Sequence, residues 1–252
     1  MESRAEFPDT DWSLVLHRTG DRTDVASDVL ERLCRIYLSP LYAYFRVALQ
    51  ASPHDAEDLA LEFIRQLGDR VAKLRDRDEP RKVRFRDFLR ACARHFASNA
   101  RDRRNALKRR PESGLVSYEA NAAWLDGATP SGGDWRDADM AFDREWAVAV
   151  VQRARGALAD EYRRAGKADE HDAFVPFLTG VPPDGEHDAI ASRLGIQKDA
   201  SKKRLERVRG RFRDHLRSLV RGTLQDPSEV DDELKYLMRV WLASDGDPGP
   251  AP

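Results

Sequence analysis

The chain has 252 residues, is 41% hydrophobic and 35% charged, and carries a net charge of −1. That length suits one large domain or two small ones; the apolar fraction excludes wholesale disorder, and the heavy charge disfavours one thick globule. No apolar run is long enough to span a bilayer, and the N-terminus lacks the basic start and apolar core of a signal peptide, so a cytoplasmic protein is expected.

After an N-terminal segment (1–24), residues 25–50 read as a helix carrying Leu30, Leu33, Cys34, Tyr37 and Leu38. It is expected to break near Ser39–Pro40 and resume through Leu41–Leu49. Ser52 and Pro53 are an N-cap and a first-turn proline for the next helix, which runs to Val71 with Leu59, Phe63, Ile64 and Leu67 on one face. A charged loop follows. Phe85, Phe88, Leu89, Cys92 and Phe96 then recur at helical spacing as a core stripe, with Arg86, Arg90 and Arg94 off it. Residues 25–110 thus read as one small helical domain. Cys34 and Cys92 both fall in apolar helical patterns and are expected to be buried free thiols, with neither a disulfide nor a metal role.

Residues 111–139 are rich in Gly, Ser, Pro and Asp, without a sustained period, and read as a flexible linker. The isolated Trp124 and Trp135 would pin that linker onto a surface. Helices resume near Ala141, with Phe142, Trp146, Val150 and Leu158 inward, and a short helix holds Phe174, Phe177 and Leu178. A second helical domain is expected over 140–222. Asp226, Pro227 and Glu229 then open a last helix with a capping box and the stripe Val230, Leu234, Leu237, Met238 and Trp241; a disordered tail completes 223–252.

The near-zero net charge conceals segregation. Arg81–Arg110 holds twelve Lys/Arg against two Asp/Glu, and Lys198–Arg221 holds ten against three. Pro111–Glu145 has two basic and eight acidic residues, and Gly222–Pro252 has two and seven. Basic blocks of this size point to a polyanionic partner.

The second block has its own architecture. Ile190, Leu194 and Ile196 are apolar, Ala191 permits close helix approach, and Gly195 suits the left-handed residue that ends a helix. A new helix begins near Lys198, with Ala200, Leu205, Val208, Phe212 and Leu216 inward. Two helices joined by a short glycine-containing turn form a helix-turn-helix, whose second helix enters the major groove. The residues expected to face DNA are Ser201, Lys202, Lys203, Arg204 and Arg207.

Several strings, in order, resemble an RNA polymerase sigma factor of the extracytoplasmic-function type, in a large group typical of planctomycete-like bacteria. "FPDTDWSLVL" (7–16) resembles the group's start, and "YLSPLYAYFR" (37–46) and "SPHDAEDLALEFIRQL" (52–67) resemble sigma domain 2. "RFRDFLRACARHFASNARDRRNALKRR" (84–110) resembles the part of that domain that handles the minus-ten element. "AIASRLGIQKDASKKRLERVRGRFR" (189–213) resembles sigma domain 4, which reads the minus-thirty-five element, and "DPSEVDDELKYL" (226–237) resembles a C-terminal extension. The resemblance implies an all-α chain of two small domains joined by the linker. It implies core RNA polymerase and promoter DNA as partners, allows an anti-sigma factor or other regulator, and requires neither cofactor nor membrane.

Carried onto this sequence, the resemblance assigns polymerase binding to Asp55, Glu57, Asp58, Leu59, Glu62 and Phe63. An acidic, partly apolar helix face would complement a basic coiled coil. It assigns the minus-ten element to Arg90, Arg94, His95, Asn99, Arg101, Arg103 and Arg104, where cations and a base-edge hydrogen bond from Asn99 would hold melted strands. Phe85, Phe88 and Phe96 are expected in the core rather than stacked on bases.

An enzyme is the first rival class, and the six histidines form no metal-ligand spacing; no phosphate loop, nucleophile elbow or Cys–His pair is present. The second is a helix-turn-helix regulator acting without polymerase, which would need only one basic block. The third is a helical interaction bundle with no role on DNA.

Overall fold

The structure is a computed structural model that describes Trp12 and residues 23–75, 84–109 and 135–243. Among these residues every regular element is a helix. Two compact units emerge: Met1–Ala149 with Arg221–Pro252, and Val150–Val220.

In the first unit α1 spans Thr23–Ala48 and contains Pro40, so the expected break is absent. Proline removes one backbone donor and crowds the preceding turn. On both sides of it, however, Ile36, Tyr37, Leu41, Tyr44 and Phe45 are buried, and that burial holds the helix together. α2 (Pro53–Arg65) starts as its sequence dictates, with the Ser52 hydroxyl accepting from the Asp55 N–H at 3.2 Å. It stops at Gln66, and α3 (Leu67–Arg75) follows, so the helix expected to run through Val71 is two helices. The charged loop beyond lies outside the described residues.

α4 (Phe85–Arg109) buries Phe85, Phe88, Leu89, Cys92 and Phe96 as the stripe requires. Phe45, Phe63 and Phe96 form a triangle of rings with centroids 5.3, 5.6 and 6.0 Å apart. Trp12 lies 4.7 Å from Phe85 and 5.3 Å from Phe88, centroid to centroid. Such contacts supply both area and the tilted ring geometry that aromatic quadrupoles favour.

α5 (Arg136–Arg164) begins before the expected Ala141, so residues 136–139 are helical rather than linker. The reason is Trp135, which is buried and stacks on Tyr44 at 6.5 Å, with Asp137 and Asp139 in a first turn whose dipole favours acids. Trp124 and the rest of the expected linker lie outside the described residues. α5 belongs to the first unit up to Ala149 and to the second beyond it.

The second unit contains α6 (Ala168–Phe174), a 3-10 turn over Val175–Phe177, α7 (Glu186–Leu194) and α8 (Lys198–Gly222) up to Val220. Val151, Ala154, Leu158 and Tyr162 of α5 are buried in it, as are Phe174, Ile190, Leu205, Val208, Phe212 and Leu216.

The C-terminal residues return to the first unit, so its boundaries differ from the expected domains at 140–222 and 223–252. The Phe85 N–H donates to the Thr223 carbonyl at 3.0 Å, and Leu224 is fully buried. Asp226 caps a 3-10 turn (Pro227–Glu229) by accepting from the Ser228 N–H at 2.9 Å, and α9 (Val230–Leu242) follows. Glu229 accepts from Arg84 at 2.7 Å. Val230, Glu233, Leu237 and Trp241 form the buried stripe. No helix among the described residues is long and apolar enough to cross a membrane.

Candidate nucleic-acid interface

α4 presents a row of arginines. At its start, Arg86 is only 3% exposed, against the expectation that it lies off the core. Its Nε donates to Glu233 at 2.9 Å and its Nη1 to Asp143 at 3.1 Å. The guanidinium sits 4.4 Å from the Tyr236 ring centroid and 5.1 Å from that of Trp146. Burial works against its charge, but the Glu233 hydrogen bonds and the nearby carboxylates outweigh this and hold it protonated beyond its usual range. Arg84 donates to Glu229 at 2.7 Å and Glu233 at 2.9 Å, and the Tyr236 hydroxyl donates to Asp143 at 2.5 Å. A fully buried glutamate is tolerable only because it is paired this completely.

The residues assigned to the minus-ten element continue along α4. Arg90 donates to Asp143 at 2.8 Å and to Asp87 at 2.7 Å. Arg94 pairs with Asp139, and the hydrogen bond and charge of that carboxylate raise its pKa against the opposing effect of burial. Arg101 donates to the Ala48 carbonyl at 2.9 Å, with its guanidinium 4.9 Å from the Trp135 ring centroid. Arg104 is exposed and reaches the Leu49 carbonyl at 3.5 Å. His95, Asn99 and Arg103 are half-buried on the same helix. Phe85, Phe88 and Phe96 are buried, so their rings pack the core.

On α2, Asp55, Glu57 and Asp58 are exposed and Leu59 and Glu62 half-buried. Phe63 is fully buried in the phenylalanine triangle, which corrects its assignment as a contact residue: its position on the helix points inward. A cleft of about 420 Å³ brings Asp55, Asp58, Leu59 and Glu62 beside Arg104 of α4. Two sets of residues that the sequence kept apart therefore share one depression. Its rim includes Gln50 in the left-handed conformation, at φ 50°.

In the second unit α7 ends at Gly195 in the left-handed conformation (φ 62°, ψ 38°), and the chain re-enters a helix at Lys198. The Ile196 N–H returns to the Ala191 carbonyl at 2.9 Å and closes the turn. This is the tight glycine turn that a helix-turn-helix needs. Lys202, Lys203 and Arg207 are exposed, with no hydrogen bond or ion pair among the described residues. Ser201 departs from expectation: it is fully buried, with its hydroxyl 3.1 Å from His187 Nδ1. The inward register therefore runs through Ser201, Leu205 and Val208, and Ser201 cannot face DNA. Arg204 is half-buried and donates to Glu170 at 2.8 Å. Further along, Arg211 donates to Glu161 at 2.8 Å, and these hydrogen bonds hold the Glu161 carboxyl below its usual range.

Sequence reasoning missed Trp12, Trp135's partner Arg101, and the Arg86–Glu233–Asp143 cluster. The signal for the last was present: Glu233 stands in the apolar stripe of α9, and Asp143 adjoins that of α5. Among the described residues no group of three or more His, Cys, Asp or Glu could hold a metal ion. No family model, curated protein or solved structure matches the chain.

Proposed function

We propose that the chain is an RNA polymerase sigma factor of the extracytoplasmic-function type, which binds core polymerase, directs it to promoters and helps open the start site. In this reading the first unit does the work of sigma domain 2 and the second that of sigma domain 4. The observation that carries it is the second unit's helix–Gly195–helix turn, with Lys202, Lys203 and Arg207 exposed along the first turns of α8, where a groove-reading helix makes its contacts. The long arginine-rich α4 and the exposed carboxylates of α2 support the rest, as a nucleic-acid face and a polymerase face on one unit.

The reading separates two activities by residue. Lys203→Glu with Arg207→Glu abolishes promoter selection and leaves polymerase binding intact, because two phosphate or base contacts become repulsions. Asp58→Arg does the reverse. Co-purification with core polymerase and promoter-dependent transcription read the two activities, and circular dichroism confirms that each variant is folded. Folded variants that lose both activities equally contradict the division of labour.

A further inference from the structure

The candidate minus-ten cations are paired in a strict antiparallel register with the start of α5. Trp135, Asp139 and Asp143 recur every four residues, on one side of that helix. They meet α4 in reverse order: Trp135 under Arg101, Asp139 on Arg94, Asp143 on Arg90 and Arg86. All of these residues lie in the first unit. The three contacts have the chemistry of a nucleic-acid strand. Two carboxylates one helical turn apart offer hydrogen-bonded negative charge to arginines, as phosphates do, and an aromatic face lies against a guanidinium, as an unstacked base does.

We propose that Trp135 and Asp139, anchored at Asp143, form an internal mimic of nucleic acid that occupies the cationic face of α4, and that these two side chains must be displaced before single-stranded DNA binds there. This rests on the proposed function, since it takes α4 to be the face for the melted strand. One feature fits a displaceable contact at Asp139 rather than a purely architectural one. The Arg94 and Asp139 side chains are 26% and 18% exposed, so water and a competing anion reach the pair. The Asp143 end is different: it is tied into the buried Arg86–Glu233 cluster and is the anchor from which the rest would peel. The device would make binding selective. A strand that offers phosphates alone must replace Asp139, whereas one that also supplies a base to Arg101 recovers the lost stacking on Trp135.

The test uses the full chain and a fluorescent single-stranded oligodeoxynucleotide over a salt series. Asp139→Asn, which keeps the shape and removes the charge, tightens binding by about two- to fivefold, the scale of a partly exposed ion pair. It also steepens the dependence on salt, because one more arginine now releases counterions. Asp137→Asn is the control: it makes the same charge change one turn-face away on an exposed residue and leaves affinity as it was. In an Arg94→Gln background, Asp139→Asn has no effect, since the competitor's partner is gone. Equal tightening by Asp137→Asn, or tightening by Asp139→Asn that persists without Arg94, shows a general charge effect and overturns the proposal. An Asp139→Asn variant of unchanged affinity, with a binding wild type, overturns it and leaves the sigma-factor reading standing. A wild type and variants that bind no strand, even together with core polymerase, remove that underlying reading as well.

Discussion

Single residues decide which charges are available and which are structural. Glu233 and Arg86 are buried against one another, and removing one partner leaves the other charged in the core. Glu233→Ala therefore costs about 3–5 kcal/mol of stability, read as a lowered midpoint in urea; a surface-like loss of a few tenths would contradict the buried cluster. Phe63→Ala likewise costs about 3–5 kcal/mol, because its ring is enclosed by Phe45 and Phe96. On the proposed function, Ser201→Ala leaves DNA affinity unchanged, since the hydroxyl faces His187. The two cysteines are 7% and 0% exposed, and burial pushes both thiols up to about 12. At pH 8 they are neutral as well as enclosed, so a thiol reagent titrates neither in the native protein and both after denaturation. Reaction of the native chain would contradict that packing. These inward assignments were only partly legible. Position along a helical stripe predicted Phe85, Phe88 and Cys92 correctly. Ser201 was misread because Ala200 beside it is equally small, and a one-residue shift of register reverses which of the two points inward.

At the scale of elements, the sequence showed where helices begin and end better than what they pack against. Ser52–Pro53 and Gly195 act through local backbone chemistry, which is visible in a few residues. Pro40 was read as a break because a proline's cost is local, whereas the aromatic core that overrides it comes from distant positions such as Phe85 and Phe142. The last helix carries acidic residues whose partners its own sequence does not name. Glu229 in the turn before it and Glu233 within it grip Arg84 and Arg86, and its apolar stripe is buried in the first unit. Deleting 223–252 therefore destabilises that unit, since Leu224, Val230, Leu237 and Trp241 each bury apolar surface worth about 1.5–3 kcal/mol. Thermal melting reads this directly, and an unchanged melt would show that the helix is dispensable.

Across the whole molecule, the alternation of basic and acidic segments has two meanings. In the first unit much of it is internal complementarity: four arginines of the first basic block meet Asp139, Asp143, Glu229 and Glu233, from the two acidic segments that follow. In the second unit, Arg204 and Arg211 are similarly occupied, yet Lys202, Lys203 and Arg207 are exposed together beside the tight turn. Counting charges along the chain could not separate these cases, because pairing depends on which helices meet. The helix–Gly195–helix turn was legible because it is contained in a short run of consecutive residues; the buried cluster was not, because its three charges come from helices far apart in sequence. The most direct test of the proposed function is run-off transcription by purified core RNA polymerase, with and without the full-length chain, followed by sequencing of the transcript starts. Initiation at discrete sites sharing one upstream pattern, dependent on the chain and lost with Lys203→Glu/Arg207→Glu, is the predicted result; start sites identical with and without the chain would contradict it.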